Sequence, residues 1–395
     1  MSGCQVAIIA DDLSGALDTA APFAARGGDA RVVIGLEVLA ATLTAWQGQW
    51  PDVIAVNTES RHLNAEEAVL RVSEAVRLLK RVGPQQWFKK IDSTLRGQVV
   101  AECRAMREAL ELPLLLAPAV PAQGRVVRNA EVWVDGVPLR ETDYQQDARS
   151  TPLVGPIDHV FSTNGMPLQR YRPGQNELLT SEDCIVDTES DEELSALYTL
   201  LLSAGAARAM VGAAGLATAI AQDCFGQIKG QFRSLHRVKS VLYAIGSRSH
   251  RAAEQFQQLR QRLPDLDVVE ACGHNDLYHP DLSSCAVIPG CNNEPGLPAS
   301  QVAVAMAAKV TDIATSWQAS EEYLLFLTGG DIAMAVLTKM DVKYISVETE
   351  WSPGVALGFL DGDTRQRVMT KAGGFGDPRL LVTLHDQLST SPGAL

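Results

Sequence analysis

The sequence predicts an α/β protein with two α/β domains, each built around a largely parallel sheet. Short β-rich runs alternate with amphipathic helical patterns, which is typical of βαβ units. A basic, polar stretch at residues 226–237 interrupts this alternation once, and the alternation then resumes. A chain of 395 residues is also long enough for two or three domains of about 150 residues each. We therefore expect one domain over residues 1–230 and a second over residues 231–395.

The first domain is expected to alternate strands and helices from its start. The predicted strands cover residues 6–10, 30–35, 53–57, 86–91, 114–117 and 184–187, and the predicted helices cover residues 16–25, 65–82, 99–110, 191–202 and 212–225. In the helix over 65–82 the apolar residues recur near the period of an amphipathic helix. The dipeptide Asp135-Gly136 predicts a hairpin turn, and the polar stretch over 144–182 predicts an irregular excursion.

The second domain is expected to follow the same alternation. Its predicted strands cover residues 240–245, 268–271, 323–327 and 343–347, and its predicted helices cover residues 252–263, 300–317 and 332–338. Residues 355–360 and 367–371 predict a late antiparallel pair joined by Asp361-Gly362. Connections between parallel strands should be right-handed.

Charge and cysteine content limit the class of protein. The chain has 34 basic and 47 acidic side chains, a formal net charge of −13. This balance disfavours a nucleic-acid partner, because phosphate contacts need a local excess of Lys and Arg. The first residues do not resemble a signal peptide, and no apolar run reaches the ~20 residues that span a bilayer, so we expect a cytoplasmic protein without a membrane partner.

Seven scattered cysteines without a CxxC motif favour free thiols in a reducing compartment. Cys272, His274 and His279 have no second cluster of metal-binding residues nearby in the sequence. We therefore expect no metal site at this segment.

Polar side chains at the ends of predicted strands indicate a candidate substrate site, because ligands of open α/β sheets bind beyond the carboxyl ends of the strands. Asp11, Asp12 and Ser14 follow the first strand, although capping of the next helix would explain one of them. Arg61 follows the strand over 53–57 and could form a fork for a carboxylate or lie in a surface loop.

The densest polar cluster covers residues 89–97, with the sequence KKIDSTLRG. Lys90, Asp92 and Arg96 flank two hydroxyl side chains there, and Gly97 allows a close backbone approach. Cations for a carboxylate and acceptors for hydroxyl groups suit an anionic substrate that carries several hydroxyls. A fourth polar strand end, which is a weaker indication, carries Gln123, Gly124 and Arg125.

Glycine- and serine-rich strand ends in the second domain indicate a phosphate site. The chain has neither the GxxxxGK[ST] nor the GxGxxG motif. Three strand ends are nonetheless rich in Gly or Ser, at residues 245–250, 328–331 and 370–376. Their backbone N–H groups could face phosphate oxygens, with Lys371 as a point charge. Tight turns would explain any one of these loops, but three in one domain favour phosphate binding.

The motifs together resemble those of a known family. ADDLSGALDTA, NTESR, KKIDSTLRG, APAVPAQGR, VGAAGLA, GSRSH, TGGDIA, PGVALG and KAGGFG occur in that family's order. Over nearly its whole length the chain resembles the four-carbon acid sugar kinases, formerly catalogued as a domain of unknown function. This resemblance implies an ATP-dependent kinase acting on the terminal hydroxyl of D-threonate, D-erythronate or a 3-oxo-tetronate. It also implies substrate on the N-terminal domain, ATP on the C-terminal domain, and an active site in the cleft between them.

The resemblance implies roles for particular residues. The implied substrate contacts, with Arg96 added from the polar cluster, are Asp12, Arg61, Lys90, Ile91, Asp92, Ser93 and Arg96. The implied ATP contacts, together with Lys371 as the point charge of the third strand end, are Ser247, Gly329, Gly330, Asp331, Ile332, Lys371, Gly373 and Gly374. Residues that depart from the family's usual pattern are Ser14, Ile91, Ala213 and Ile332. Because Ile332 replaces a small hydroxyl residue, we expect only backbone contacts from that position.

The expected mechanism is phosphoryl transfer by alignment and charge neutralisation. Arg61, Lys90 and Arg96 would hold the substrate carboxylate, and Asp12 or Asp92 would accept the hydroxyl proton. Mg²⁺ would bridge the ATP phosphates.

Two alternative functions stay open, a non-catalytic sensor of a sugar acid and nucleotide, and an aldolase or dehydrogenase acting on hydroxy acids. The sequence also leaves open which acid and stereoisomer is used, and whether the chain forms a homo-oligomer.

Overall fold

The computed structural model divides into two compact units, Met1–Lys229 and Gly230–Leu395. The structure describes residues 3–146, 150, 152–175, 181–205, 207–229, 235, 237–272, 284–290, 298–317 and 323–389. His274 and His279, which the sequence analysis weighed as metal ligands, lie outside these described residues.

The first unit alternates strands and helices, as the sequence predicts. Its elements are β1 (Val6–Ala10), α1 (Leu13–Ala24), β2 (Ala30–Val33), α2 (Leu36–Ala45), β3 (Val53–Asn57), α3 (Ala65–Leu79), β4 (Gln86–Lys90), α4 (Val99–Leu110), β5 (Leu114–Ala117), β6 (Arg125–Arg128), β7 (Glu131–Val134), β8 (Val137–Pro138), α5 (Ile157–Thr163), β9 (Gln169–Tyr171), β10 (Cys184–Val186), α6 (Asp191–Ala204), β11 (Ala209–Gly212) and α7 (Ala214–Phe225).

The main sheet of this unit runs in the order β2-β3-β1-β4-β11-β5-β10-β9, and its neighbouring strands are parallel. Every residue of β1 and β3 is buried, because helices cover both faces of such a sheet. The strand order reverses around β1, which lies between β3 and β4. A reversal of this kind leaves a crevice at the carboxyl ends of the strands, where ligands bind in open α/β sheets.

A small antiparallel sheet, β6-β7-β8, stands apart from the main sheet. Asp135 and Gly136 join β7 to β8 with φ of 49° and 82°, so the predicted hairpin turn is confirmed. The expectation of an irregular excursion over 144–182 is wrong in part, since that stretch contains α5 and β9.

The second unit is built in the same way and ends in an antiparallel ribbon. Its elements are β12 (Ser240–Ile245), α8 (His250–Arg262), β13 (Asp267–Glu270), β14 (Cys285–Ile288), α9 (Ala299–Trp317), β15 (Tyr323–Thr328), α10 (Gly330–Lys339), β16 (Tyr344–Ser352), β17 (Val355–Leu360), β18 (Arg367–Lys371) and α11 (Leu380–Ser389). The sheet order is β13-β14-β12-β15-β18-β17-β16. β17 pairs antiparallel with β16 and β18, which confirms the predicted late pair.

Both units are therefore α/β structures with mostly parallel sheets, as predicted. The core of the second unit is formed by side chains from both the sheet and its helices, including Tyr243, Phe326, Leu357, Met369 and Leu381. Among the helices that the structure describes, none combines the length and the apolar character needed to cross a bilayer.

Candidate functional site

The register of the first sheet brings three polar strand ends to one edge. Ala10, the last residue of β1, pairs with Asn57 of β3 on one side and with Lys90 of β4 on the other. The segments that follow these residues carry the Asp11-Asp12 pair, Arg61 and the polar cluster at 92–97. The substrate residues predicted from the sequence therefore follow the carboxyl ends of neighbouring strands.

Arg61 forms ion pairs with both acids that follow β1. Its Nε and Nη2 lie 2.7 and 3.0 Å from the two oxygens of Asp11, while Nη1 and Nη2 lie 2.7 and 2.8 Å from those of Asp12. Burial acts to raise the pKa of Asp11, but the charge of Arg61 holds that pKa below its usual range. Most of the Arg61 donors are thus engaged within the protein, so its expected contact with a substrate carboxylate would use the remaining Nη1 hydrogen.

Asp12 is the more accessible of the two acids. Its side chain is 25% exposed, whereas that of Asp11 is 2% exposed. Asp12 Oδ1 also accepts the Gly15 N–H at 2.8 Å, so the capping role weighed for it is real and exists beside the ion pair. Within the part of the chain that the structure describes, Asp12 Oδ2 has one hydrogen-bond partner, Arg61 Nη1, and it keeps capacity to accept a substrate hydroxyl.

Lys90 lies close to the start of α1. A Cβ atom at Gly15 would be 2.6 Å from Asp12 Oδ1 and 3.1 Å from Lys90 Nζ, so the absence of a side chain at Gly15 lets these two groups approach the helix. Among the described residues, Lys90 Nζ donates one hydrogen bond, to Ile91 O at 3.0 Å. Because an ammonium group has three hydrogens, Lys90 is suited to bind an anion. Ile91 itself is buried and donates its N–H to Gly212 O at 2.9 Å.

Asp92 holds together the loop that follows β4. Its carboxylate accepts hydrogen bonds from the Thr94 hydroxyl, from Arg96 Nε at 2.8 Å and from Arg96 Nη2 at 3.1 Å. Leu95 in the same loop has a φ of 58°, a strained value for a side chain of this kind. Burial acts to raise the pKa of Asp92, but Arg61 and Arg96 hold it far below its usual range. The loop therefore depends on Asp92, which is a weak base.

Ser93, the remaining predicted substrate residue of this loop, is also buried.

Asp18 in α1 belongs near this site although the sequence analysis did not name it. Its carboxyl group interacts electrostatically with Lys90 and Asp12, and burial raises its pKa. Asp18 lies three residues after Gly15, which places the two on one face of the helix. The signal that could have revealed it is an acidic residue inside an otherwise apolar helix.

In the second unit, the three glycine-rich loops leave adjacent parallel strands. Ile245 of β12 pairs with Thr328 of β15, which in turn pairs with Lys371 of β18. The Gly329 N–H donates to Lys371 O at 2.9 Å and links two of the loops. The structure therefore brings together the loops that the sequence analysis assigned to phosphate.

These loops pack closely against one another. A Cβ atom at Gly373 would lie 1.9 Å from Ser247 Oγ, and one at Gly246 would lie 2.4 Å from Ile332 Cγ1. Ser249 Oγ donates to Gly373 O at 2.7 Å. Ile332 is buried against Gly246, so it can offer only its backbone to a ligand, as expected from its side chain.

Lys371 stabilises the loop that follows β18. Its Nζ donates hydrogen bonds to Ala372 O, Gly373 O and Phe375 O at 3.0, 3.1 and 3.0 Å, which uses all three ammonium hydrogens. Burial, with a smaller contribution from Arg251, lowers the pKa of Lys371 to about 8. A direct bond to phosphate, as the sequence analysis expected, would require Lys371 to release one of these carbonyls.

Two of these loops lead directly into the N-terminus of a helix. Ser249 caps α8, and α10 begins at Gly330 after Gly329, which has a φ of 98° and provides no side-chain cap. Asp331 is exposed in the first turn of α10. Uncapped N–H groups and the positive end of the helix dipole favour an anion here. In the part of the chain that the structure describes, no group of three or more His, Cys, Asp or Glu side chains is arranged to hold a metal ion.

Comparison with known proteins finds a family match in each half of the chain. Residues 6–220 match the family described as the sugar-binding N-terminal domain, and residues 242–381 match the nucleotide-binding C-terminal domain. The chain is similar to a D-threonate kinase from Cupriavidus necator, at 30% identity over 95% of each chain. It is also similar to a D-erythronate kinase from Heliobacterium modesticaldum, at 26% identity over 98% of this chain and 97% of that one.

A solved structure from Bordetella bronchiseptica, a domain-swapped dimer with bound citrate, matches with a TM-score of 0.51 and 26% identity, over 97% of this chain and 98% of that one. The chain therefore belongs to the family of proteins that join a sugar-binding N-terminal domain to a nucleotide-binding C-terminal domain.

Proposed function

We propose that this protein is an ATP-dependent kinase that phosphorylates the terminal hydroxyl of a four-carbon sugar acid such as D-threonate, D-erythronate or a 3-oxo-tetronate. The observation that supports this most is the match to a sugar-binding and a nucleotide-binding domain, together with near full-length similarity to kinases of such acids. The side chains fit the chemistry. Cations and acceptors meet at one sheet edge of the first unit, and glycine loops meet at one sheet edge of the second.

In the first unit, Lys90 is the main partner proposed for the substrate carboxylate, because its ammonium group donates one hydrogen bond within the described residues. Arg61 has a secondary role there, since it already binds two carboxylates. Asp12 accepts the hydrogen bond of the reacting hydroxyl and takes its proton late in the transfer. Asp92 and Arg96 shape the loop, with Ile91 and Ser93 contributing to the wall of the site.

In the second unit, backbone N–H groups of the glycine loops hold the ATP phosphates. The proposed contacts are Ser247, Gly329, Gly330, Asp331, Ile332, Gly373 and Gly374, with Lys371 acting through the shape of its loop. When bound with ATP, Mg²⁺ would neutralise phosphate charge, held by phosphate oxygens and water with Asp331 as the neighbouring carboxylate.

A homo-oligomer and a cytoplasmic location remain predictions. The domain-swapped dimer formed by the Bordetella bronchiseptica protein supports the first. The free thiols of Cys4, Cys103, Cys184 and Cys285, all buried, are compatible with the second.

One assay tests the proposed function against its alternatives. ADP release is followed with ATP and Mg²⁺ over a panel of D- and L-threonate, D- and L-erythronate and 3-oxo-tetronates. We expect turnover with at least one acid and a product phosphorylated at its terminal hydroxyl, identified by mass and by phosphorus NMR. Binding of an acid without ADP release would instead indicate a sensor. Carbon–carbon cleavage would indicate an aldolase, and acid-dependent reduction of a nicotinamide nucleotide would indicate a dehydrogenase.

A further inference from the structure

A fully buried polar network lies next to the ion-paired group formed by Arg61, Asp11 and Asp12. Lys89 and Glu102 have side chains that are 0% and 1% exposed, and Lys89 Nζ lies 2.9 Å from Glu102 Oε2. Glu102 Oε1 accepts a hydrogen bond from the Ser60 hydroxyl, which lies 2.7 Å from the Thr58 hydroxyl. Lys89 points to the opposite sheet face from Lys90, because side chains alternate along a strand. No step of the proposed reaction uses this network.

The outer hydrogen bonds of the network end on the backbone that carries the site. They run from Lys89 Nζ to Lys90 O (2.8 Å), from Thr58 Oγ1 to Ala10 O (2.8 Å) and from the Ser60 N–H to Asp11 O (3.0 Å). These acceptors are the last residue of β4, the last residue of β1 and the residue after β1. Two of these bonds come from the side chains of Lys89 and Thr58, and the third comes from the Ser60 backbone. Together they connect the ends of β1, β3 and β4 in addition to the sheet hydrogen bonds.

Stability alone is a poor explanation for such a pair. Two charges lose their hydration when they are buried, and replacing both partners with apolar side chains of similar volume is often neutral or stabilising. Removing one partner is different, because it leaves an uncompensated buried charge. A buried ion pair beside a proposed binding site is better explained if it holds the residues of that site in position.

We propose that Lys89 and Glu102 are positioning residues, which act through Ser60 and the strand ends to hold Arg61 between Asp11 and Asp12. The inference rests on the proposed kinase function. Ser60 precedes Arg61 in the chain, and the N–H groups of both residues donate to Asp11 O, at 3.0 and 3.3 Å. A shift of Ser60 would thus move the guanidinium away from the carboxylates that it bridges, and with it the Asp12 carboxylate proposed to receive the hydroxyl proton.

The main test variant is the double substitution Lys89→Met with Glu102→Leu, which removes both charges and keeps the volume. We expect it to unfold near the wild-type urea midpoint, to lose at least 10-fold in kcat/KM for the acid substrate, and to keep KM for ATP within twofold. A purely structural role would not separate the two substrates in this way. The matched control is Arg170→Met with Asp158→Leu, an ion pair of the same unit on α5 and β9, for which we expect wild-type kinetics.

A second variant keeps the test decisive if the double variant does not fold. Ser60→Ala removes one hydroxyl and leaves the Lys89–Glu102 pair intact, and it should lower kcat/KM for the acid about threefold or more. Wild-type kcat/KM for the acid in the folded double variant, or in Ser60→Ala where the double variant does not fold, would overturn the proposal. The wild type is assayed first on the acid panel, so a wild type without kinase activity would be recognised separately as failure of the proposed function, and the inference would fall with it.

Discussion

Gly373 and Ser247 occupy adjoining space, so that a Cβ atom on Gly373 would lie 1.9 Å from Ser247 Oγ. The contact joins the loop after β18 to the loop after β12, and the hydrogen bond from Ser249 Oγ to Gly373 O reinforces it. The proposed phosphate contacts come from backbone N–H groups of these loops. A small displacement of either loop should therefore weaken ATP binding directly.

We expect Gly373→Ala to raise KM for ATP about 10-fold or more, since a misplacement of about 1 Å in a binding loop can have effects of this size. Gly374→Ala is the matched comparison, because no described residue other than its chain neighbours has an atom within 4 Å of a Cβ built there. Its effect on KM for ATP should be clearly smaller. Equal KM values for the two variants, measured by ATP titration at saturating acid, would contradict the importance of the Ser247 contact.

Lys371→Met should weaken ATP binding by loosening its loop. The substitution leaves three carbonyl oxygens without their donor, which should lower the free energy of unfolding by about 1–3 kcal/mol. We expect a higher KM for ATP and an unchanged KM for the acid. Lys339→Met, at an exposed lysine in α10, serves as control in urea unfolding and kinetics. An unchanged KM for ATP in a folded Lys371→Met protein would remove this residue from the nucleotide site.

The pH dependence of ATP binding should report on the same residue. Burial lowers the pKa of Lys371 to about 8, so raising the pH from 7 to 9 removes one of its three hydrogens and should increase KM for ATP with a midpoint near 8. The unfolded chain keeps this proton until about pH 10.4, so between those values the unfolded state binds more protons and this group adds stability as pH rises. ATP binding should therefore weaken while stability does not. A flat KM profile in the wild type would contradict this assignment.

Asp12→Asn should lower kcat by about 100-fold or more, because Asp12 is the accessible carboxylate proposed as proton acceptor. Asp92→Asn should act mainly on KM for the acid and on stability, since Asp92 holds its loop and its pKa is too low for an effective base. Asp29→Asn, in an exposed ion pair of the same unit, is the control. Full loss of kcat in Asp92→Asn with an active Asp12→Asn would reverse the two roles.

Asp18→Asn should make the protein more stable at neutral pH. Burial raises the pKa of Asp18, so the group lowers the stability of the folded state at pH values above about 3.9, the pKa that it has in the unfolded chain. The gain from the substitution should therefore be larger at neutral pH than in acid and should disappear below about pH 3.9, where the carboxyl group is protonated in both states. Urea unfolding at a series of pH values measures this difference, with the exposed Asp265→Asn as control. A constant difference across the series would contradict it.

Much of the fold could be predicted from local patterns. β1 and β3 are apolar throughout because they are buried on both faces, and the polar residues that follow them indicate the edge where ligands bind. The elements that the sequence analysis missed include β11, β14, α2 and α11. β11 has only four residues, too few to show the period of a strand, and the helix predicted over 212–225 overlaps it at Gly212 alone.

The sequence by itself determined which residue types stand at the strand ends, because a parallel sheet leaves its polar residues there and glycine marks the tight loops. Only the tertiary structure decided what each charge binds. Lys90 and Lys371 look alike in the sequence, yet Lys90 donates one hydrogen bond to a described residue and Lys371 donates three. Arg61 meets Asp11 across 50 positions of sequence. Such partners depend on which strands become neighbours and in which register, and that information is spread over the whole chain.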